Sequence, residues 1–351
     1  MLKKISRQLK FGIVFLEILL VFFVFILIYN FYLSLGKGRP LVYFDENNTS
    51  HVLDTLRESG YNITDWDHYL ISKKALPQKG WYHIGHTDEG RYHFFKQLNS
   101  HPAETMKIHV YSGETHKEML HRLAKDMKLD EKKLNSYYDA HAHFKEGDIF
   151  SGTYTVARKA DENTTLQHLF TRSKKRMAQF KKESFTHEMD DYTIKLLLTI
   201  ASIIQKESNK PEEMPVIASV IYNRLEKGMK LQMDGTLNYG DYSHQVVTSE
   251  RIKTDTSFYN TYKYKGLPPA PLATVSMQAL KAAMFPAETD YLFFMLNKDG
   301  SHNFSKTYEE HLAHLRAFRA YQKERKKRLE KKVEKKKAEK KGDLKKSAKK
   351  S

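Results

Sequence analysis

A run of 25 residues from Phe11 to Leu35, FGIVFLEILLVFFVFILIYNFYLSL, is almost wholly apolar apart from Glu17, Asn30 and Ser34. As a helix rising 1.5 Å per residue it is long enough to cross a hydrocarbon layer of about 30 Å. A cleaved signal peptide is the competing reading, but its apolar core spans only about 7 to 15 residues and ends at small residues. This run closes instead on Tyr29, Phe31 and Tyr32, aromatics suited to a membrane interface, followed by Leu33. An uncleaved anchor is therefore expected. Lys3, Lys4, Arg7 and Lys10 precede the span and Lys37 and Arg39 follow it, which places residues 1–10 in the cytoplasm and the remainder outside. Glu17, inside the apolar run, is tolerable if protonated or snorkelling and can contact a partner span.

The 351 residues suggest about two folded domains. Cysteine is absent, so neither disulfides nor thiolate metal sites can form. The formal charge of +17 is unevenly placed: residues 321–351 carry +11, residues 1–10 carry +4, and the body only about +2. A nucleic-acid footprint would put its excess on a folded face, so nucleic-acid binding is not expected. The tail, with Lys and Glu at helical spacings and a Gly342-Asp343 break, reads as a solvated, frayed helix running into disorder. It either serves solubility or contacts anionic lipid or an anionic wall polymer.

A short linker, residues 36–40, leads into a region of mixed signals with a helical pattern at Val52–Ser59 and a strand-like Trp81–Ile84. Then follow an alternating strand from Met106, a helix over Glu114–Met127, a short helix over Glu131–Tyr137 and a strand near Gly152–Val156. Strand, helix, helix, strand over about 106–157 is the order of a small LysM-like carbohydrate-binding module, and equally of a generic α+β domain. Two strong helices occupy residues 189–228. Asp190 or Asp191 can cap the first, and Ile194, Leu197, Leu198, Ala201 and Ile204 form its buried side. Pro215 suits the first turn of the second, and Gly228 its end. A helix over Ser276–Met284 and an apolar strand at Tyr291–Leu296 follow, and His302–Ser305 leads into a last helix from Thr307.

Glu207 closes the apolar segment TIASIIQKES, beyond Ile200 and Ile203 on the same strip. A carboxyl leaving a core for a cleft has a raised pKa and can act as a general acid near neutral pH. The plainer alternative is a carboxylate at the solvated end of a helix. Glycosidases that hydrolyse use two carboxylates; Asp234 is the second candidate, with Glu212, Glu213 and Glu226 assigned to solvated faces. Metal chemistry has little support, since H-E-x-x-H is missing and His311 and His314 lack a third ligand. Ser202 and Ser208 lack the G-x-S-x-G context of a serine esterase.

Six motifs in order resemble the MltG/YceG-like family of endolytic murein transglycosylases: residues 197–207, Val220–Met229, Leu231–Thr236, residues 259–269, Pro286–Tyr291 and His302–His311. Glu207 falls on the family's catalytic glutamate. Val110–Thr115, Glu146-Gly147 and Thr153-Tyr154 resemble elements of the stretch before the catalytic domain. The chain departs from the family pattern at Gly235 and Met233, where members usually have Pro and Ser, and at Ser151-Gly152, where they have Pro-Asp; Gly235 is expected to loosen the loop that carries Gln232 and Asp234.

The resemblance implies a membrane-anchored α+β protein, with a membrane-proximal region (41–188) containing the LysM-like module and a mixed α+β catalytic domain (189–320). It implies cleavage of MurNAc-β-1,4-GlcNAc bonds inside nascent glycan strands, leaving 1,6-anhydroMurNAc ends and terminating elongation. Glu207 would serve both as acid and as base because the muramoyl C6 hydroxyl is the nucleophile. Gln232, Asp234, Asn260 and Tyr262, with Asn223 and His302 behind them, are expected to bind substrate; Asn223 has a plainer role open to it, tying its helix to a loop. No cofactor or metal is implied. Expected partners are peptidoglycan strands and the peptidoglycan synthases at the cytoplasmic membrane. A lysozyme-like hydrolase and a non-catalytic wall-binding scaffold are the alternatives.

Overall fold

The computed structural model describes residues 7–85, 87–184 and 189–347. Lys3 and Lys4, expected on the inner side of the membrane, lie outside the described residues, as do residues 348–351 of the basic tail. The chain divides into two compact units, Met1–His109 with Leu123–Tyr138 and Thr153–Arg172, and Val110–Arg122 with Asp139–Gly152 and Ser173–Ser351.

The first unit begins with helix α1 (Arg7–Phe31), of which Leu9–Phe31 is long and apolar enough to cross a membrane. The helix stops at Phe31, four residues before the apolar run ends. Leu35 is 1% exposed and packs in the core of this unit with Val42, Phe44, Leu56 and Phe94, so the run's last apolar residue belongs to protein and not to lipid. The following linker is also packed: a Cβ on Gly38 would come within 2.4 Å of the Tyr61 ring. Strand β1 (Leu41–Phe44) pairs antiparallel with β2 (Gly80–His83) in the register Leu41 to His83, and between them lies α2 (Thr49–Glu58), capped by Asn48.

Helix α3 (Arg91–Lys96) supplies Arg91, whose side chain is 1% exposed and ion-paired with the fully buried Asp67. Arg91 Nε donates to Asp67 Oδ1 at 2.8 Å, and its terminal nitrogens donate to the carbonyls of Leu33 at 2.9 Å and Asn62 at 2.7 Å. Tyr29 of α1 donates to the same carboxylate at 2.8 Å, and Asn30 accepts from the Tyr92 amide at 2.8 Å. A buried ion pair is tolerable only when its remaining donors and acceptors are satisfied, and here they are met by backbone where α1 leaves its last turn.

Strand β3 (Thr105–Val110), helices α4 (His116–Met127) and α5 (Glu131–His141) and strand β4 (Gly152–Ala157) follow in the expected order, with β3 and β4 hydrogen-bonded in one two-stranded sheet. Trp81, 4% exposed, packs on Ala157 and Ala160 and donates its indole N–H to the Thr155 carbonyl at 2.8 Å. The sequence reading has no counterpart for the next element, the 23-residue helix α6 (Glu162–Ser184).

The core of the second unit is built by α7 (Asp191–Glu207), α8 (Met214–Glu226) and, after a short helix α9 (Ser249–Thr254), by α10 (Met277–Met284). Asp190 caps α7 by accepting from the Thr193 amide at 2.8 Å. Residues 197 to 205 of α7 are buried without interruption, because neighbours pack on more than one side of it. Its polar residues are satisfied in place: Ser202 Oγ donates to the Thr199 carbonyl and accepts from the Leu272 amide, and Gln205 accepts from the Ser276 amide. Pro215 lies in the first turn of α8, and Gly228 takes φ +62° just past its end. Strands β5 (Phe293–Leu296) and β6 (His302–Ser305) pair antiparallel before α11 (Tyr308–Ser347). Across the expected break at Gly342-Asp343 the backbone stays helical, through Ser347.

Candidate functional site

Glu207 is the last residue of α7, where the buried face ends and Ser208 turns the chain into extended conformation. One carboxyl oxygen, Oε1, accepts from the Gly235 amide at 2.8 Å. Gly235 lies in a 3-10 turn, Asp234–Leu237, that passes very close to the helix. A Cβ at this position would stand 2.7 Å from Glu207 Oε1 and 2.8 Å from Lys206 Cβ. Far from loosening the loop, Gly235 is buried and permits a contact that any side chain would obstruct, and proline could not donate this hydrogen bond. Met233, the other departure in this loop, is 3% exposed and belongs to the hydrophobic core.

Burial raises the Glu207 pKa to about 7; the Gly235 hydrogen bond lowers it in part, and the negative charge of Asp234 adds to the rise. The residue as a whole keeps partial exposure, but the ionising carboxyl is the desolvated part. Among the described residues no cation pairs with it. The neighbouring Lys206 sends its ammonium to Ser243 Oγ at 2.9 Å.

Asp234 is exposed and accepts at Oδ1 from the Tyr262 hydroxyl at 2.6 Å. Burial and that bond raise the Tyr262 pKa, so the phenol stays protonated and a donor. Gln232 is exposed and held at φ +48°, the left-handed region that non-glycine residues seldom occupy and that recurs at ligand-binding positions. Three threonine contacts hold this loop: the Met233 amide donates to Thr261 Oγ1, the Thr236 and Thr261 hydroxyls lie 2.9 Å apart, and Thr236 donates to the Met233 carbonyl. Glu207, Asp234, Tyr262 and Gln232 thus gather around two loops that are fastened to each other.

The other three sequence-derived site residues are engaged elsewhere. Asn260 is fully buried; its amide donates to the Ile252 and Asp255 carbonyls at 2.9 Å, and its oxygen accepts from the Tyr262 amide. It cannot reach a ligand and instead fixes the loop bearing Tyr262. Asn223 donates to the Thr289 and Tyr291 carbonyls at 2.7 and 2.9 Å, the tie between helix and loop that was the plainer reading of this residue. His302 is bound to Glu213 by its amide at 2.9 Å and its ring Nδ1 at 2.7 Å, and Ser208 donates to the same carboxylate. Glu213 was expected in solvent and is 7% exposed. Burial opposes its ionisation, but the bonds from His302 and Ser208 outweigh that and lower its pKa. This cluster clamps the residue after Glu207.

Sequence reasoning did not single out Arg224. It is 7% exposed, donates to the carbonyls of Leu292 and Leu231 at 2.6 Å, and lies over the Phe293 ring. An arginine on an otherwise apolar face of α8 was the available signal.

The family model described as the YceG-like family matches residues 44–317. An endolytic murein transglycosylase of Bacillus subtilis is 36% identical over 171 residues, 48% of this chain and 46% of that protein. One of Streptococcus pneumoniae (strain D39) is 28% identical over 172 residues, 47% of this chain and 31% of that protein. The match therefore spans less than half the length of these curated relatives. A crystal structure of a YceG-like protein from Listeria monocytogenes superimposes with a TM-score of 0.51 at 25% identity, covering 78% of this chain and 97% of that one. With three quarters of its length matched by one family model, and a mixed α+β fold shared with a solved relative, this chain belongs to the YceG-like family.

Proposed function

We propose that the protein is a lytic transglycosylase of peptidoglycan, cutting MurNAc-β-1,4-GlcNAc bonds within glycan strands, with Glu207 as its acid and base. The observation that carries this reading is a carboxyl poised at about 7, desolvated at the end of a core helix and held by one backbone amide. Such a group is half protonated near neutral pH, so it can give a proton and take one back with little cost in either direction. It would protonate the glycosidic oxygen as the bond to C1 breaks. The resulting carboxylate would take the proton from the muramoyl C6 hydroxyl as that oxygen bonds to C1, closing a 1,6-anhydro ring and consuming no water. Asp234, Tyr262 and Gln232 would line the sugar groove, and the carboxylate of Asp234 would steady positive charge developing at C1. Asn260, Asn223, His302 and Arg224 act as positioning residues in this scheme.

Helix α1 is consistent with a single-pass anchor. With the N-terminus in the cytoplasm, the site would work on strands close to the membrane, beside the synthases that extend them. The β-α-α-β segment from β3 to β4 fits a LysM-like module that would add affinity for glycan.

The coupling of Asp234 to Glu207 also favours a second reading, a lysozyme-like hydrolase in which Asp234 supplies the second carboxylate. Mass spectrometry of muropeptides released by the purified protein separates the two. Anhydro ends, lighter by one water than reducing ends, support the transglycosylase, and reducing ends alone support the hydrolase. No cleavage by the intact protein would leave only the scaffold reading.

A further inference from the structure

We propose that the first unit is seated on the bilayer surface through an aromatic patch centred on Trp66 and Tyr69, with the lipid headgroup and upper acyl region as its partner. The inference rests on the reading of α1 as a membrane span and goes beyond it, since a span by itself requires no contact between the folded unit and lipid.

Trp66 and Tyr69 belong to a 3-10 turn, Asp65–Tyr69, and are 61% and 80% exposed. Large aromatics are costly to leave in water, and two neighbours 6.1 Å apart make a coherent apolar surface. The patch is continuous with the span: the Trp66 ring meets Phe25 of α1 edge-on at 6.3 Å. Phe25 lies six residues before the helix ends at Phe31, about 9 Å along the axis. A span that ends near Phe31 therefore brings Trp66 to the depth where headgroups give way to acyl chains, the level that tryptophan and tyrosine favour.

The turn cannot swing away from the helix. Asp67, between the two aromatics, is the buried carboxylate that receives Arg91 and Tyr29, so the patch and the last turn of α1 share one ion pair. The charges nearby suit an interface. Asp67 is neutralised by Arg91, the exposed Asp65 shares Arg57 with Asp54 at 3.2 and 2.7 Å, and Tyr92, 56% exposed, adds a third aromatic beside Asn30.

The sequence has two tryptophans, and Trp81 is buried in protein, out of reach of quenchers in water or lipid, so quenching reports on Trp66. The full chain would be reconstituted into phosphatidylethanolamine–phosphatidylglycerol vesicles carrying bromine either near the top or near the end of the acyl chains. The expected result is blue-shifted emission quenched more by the shallow bromines than by the deep ones, with that quenching lost in Trp66→Phe. Introducing Phe22→Trp into the Trp66→Phe chain reports on the span alone. If that chain is quenched by deep bromines while Trp66 is quenched only by aqueous iodide, the seat is refuted and the span stands. If Trp66 is shielded from both iodide and bromine, a protein covers the patch and the lipid seat is refuted. If neither tryptophan meets bromine, the span reading fails and takes the seat with it.

Discussion

Replacing Glu207 by Gln should stabilise the protein, by an amount that grows with pH. Folding carries this carboxyl from its ordinary 4.5 to about 7, chiefly through burial. A displacement of that size is worth roughly 3 kcal/mol. Because the folded pKa is raised, the folded state holds the proton more tightly than the unfolded chain. The associated stability is intact below the unfolded value and is lost as pH rises through the folded one, so the parent weakens between about pH 4.5 and 7. Glutamine is neutral throughout, has nearly the same shape, and keeps an oxygen to accept from Gly235. Parent and variant should therefore melt together near pH 4 and separate by up to about 3 kcal/mol near pH 8.5, less whatever the residue's partial exposure screens. For domains of about this size that is on the order of 5 to 10 °C. Thermal melts followed by circular dichroism across the pH range measure it, with all other titrating groups common to both proteins. A difference that stays constant from acid to alkaline pH would refute the reasoning, because it would mean that the carboxyl is not desolvated by folding.

Gly235→Ala should cost about 1 to 3 kcal/mol through overpacking against Glu207 and Lys206, and should reduce glycan cleavage by more than about tenfold as the carboxyl is displaced; melts and muropeptide yields read the two effects. Asp234→Asn removes the negative charge that helps raise the Glu207 pKa, so the alkaline limb of the pH–rate profile should move to lower pH, and an unmoved limb counts against that coupling. Arg91→Met strands the Asp67 carboxylate in the interior and should destabilise the first unit by about 3 to 5 kcal/mol, seen in denaturant unfolding. Asn223→Ala should lower stability by about 1 to 3 kcal/mol while leaving the shape of the pH profile unchanged.

Helices α7 and α8 were legible because three signals agreed: a 3.6-residue apolar period, the Asp190 cap, and Pro215 and Gly228 at the two ends of the second helix. Helix α6 was not, because its buried residues Leu166, Leu169, Phe170 and Phe180 are set among lysines, arginines and threonines, which hides the apolar period even though Asp161 caps its start by accepting from the Thr164 amide at 2.8 Å. Leu35 shows a different limit, since an apolar residue at the end of a span looks the same in sequence whether lipid or protein core receives it. Glu207 and Asp234 could be nominated from the sequence, and the structure brings them close. What their neighbours do depends on loop closure: Asn260 turns back to the carbonyls of Ile252 and Asp255, and Glu213 finds His302 across 89 residues. No periodicity encodes such contacts. Gly235 was misjudged for the same reason, because a glycine that adds freedom to a chain and one that admits a close approach are written alike.

The amide of Gly235 engages only one of the two oxygens of Glu207. A protonated carboxyl in that setting keeps its hydrogen on Oε2, since Oε1 already faces a donor. In the proposed reaction, then, the atom that surrenders the proton is also the one that must retrieve it. The leaving sugar oxygen and the incoming C6 hydroxyl would have to call at a single lone-pair direction, one after the other, so the departing saccharide has to clear that spot before the ring can close.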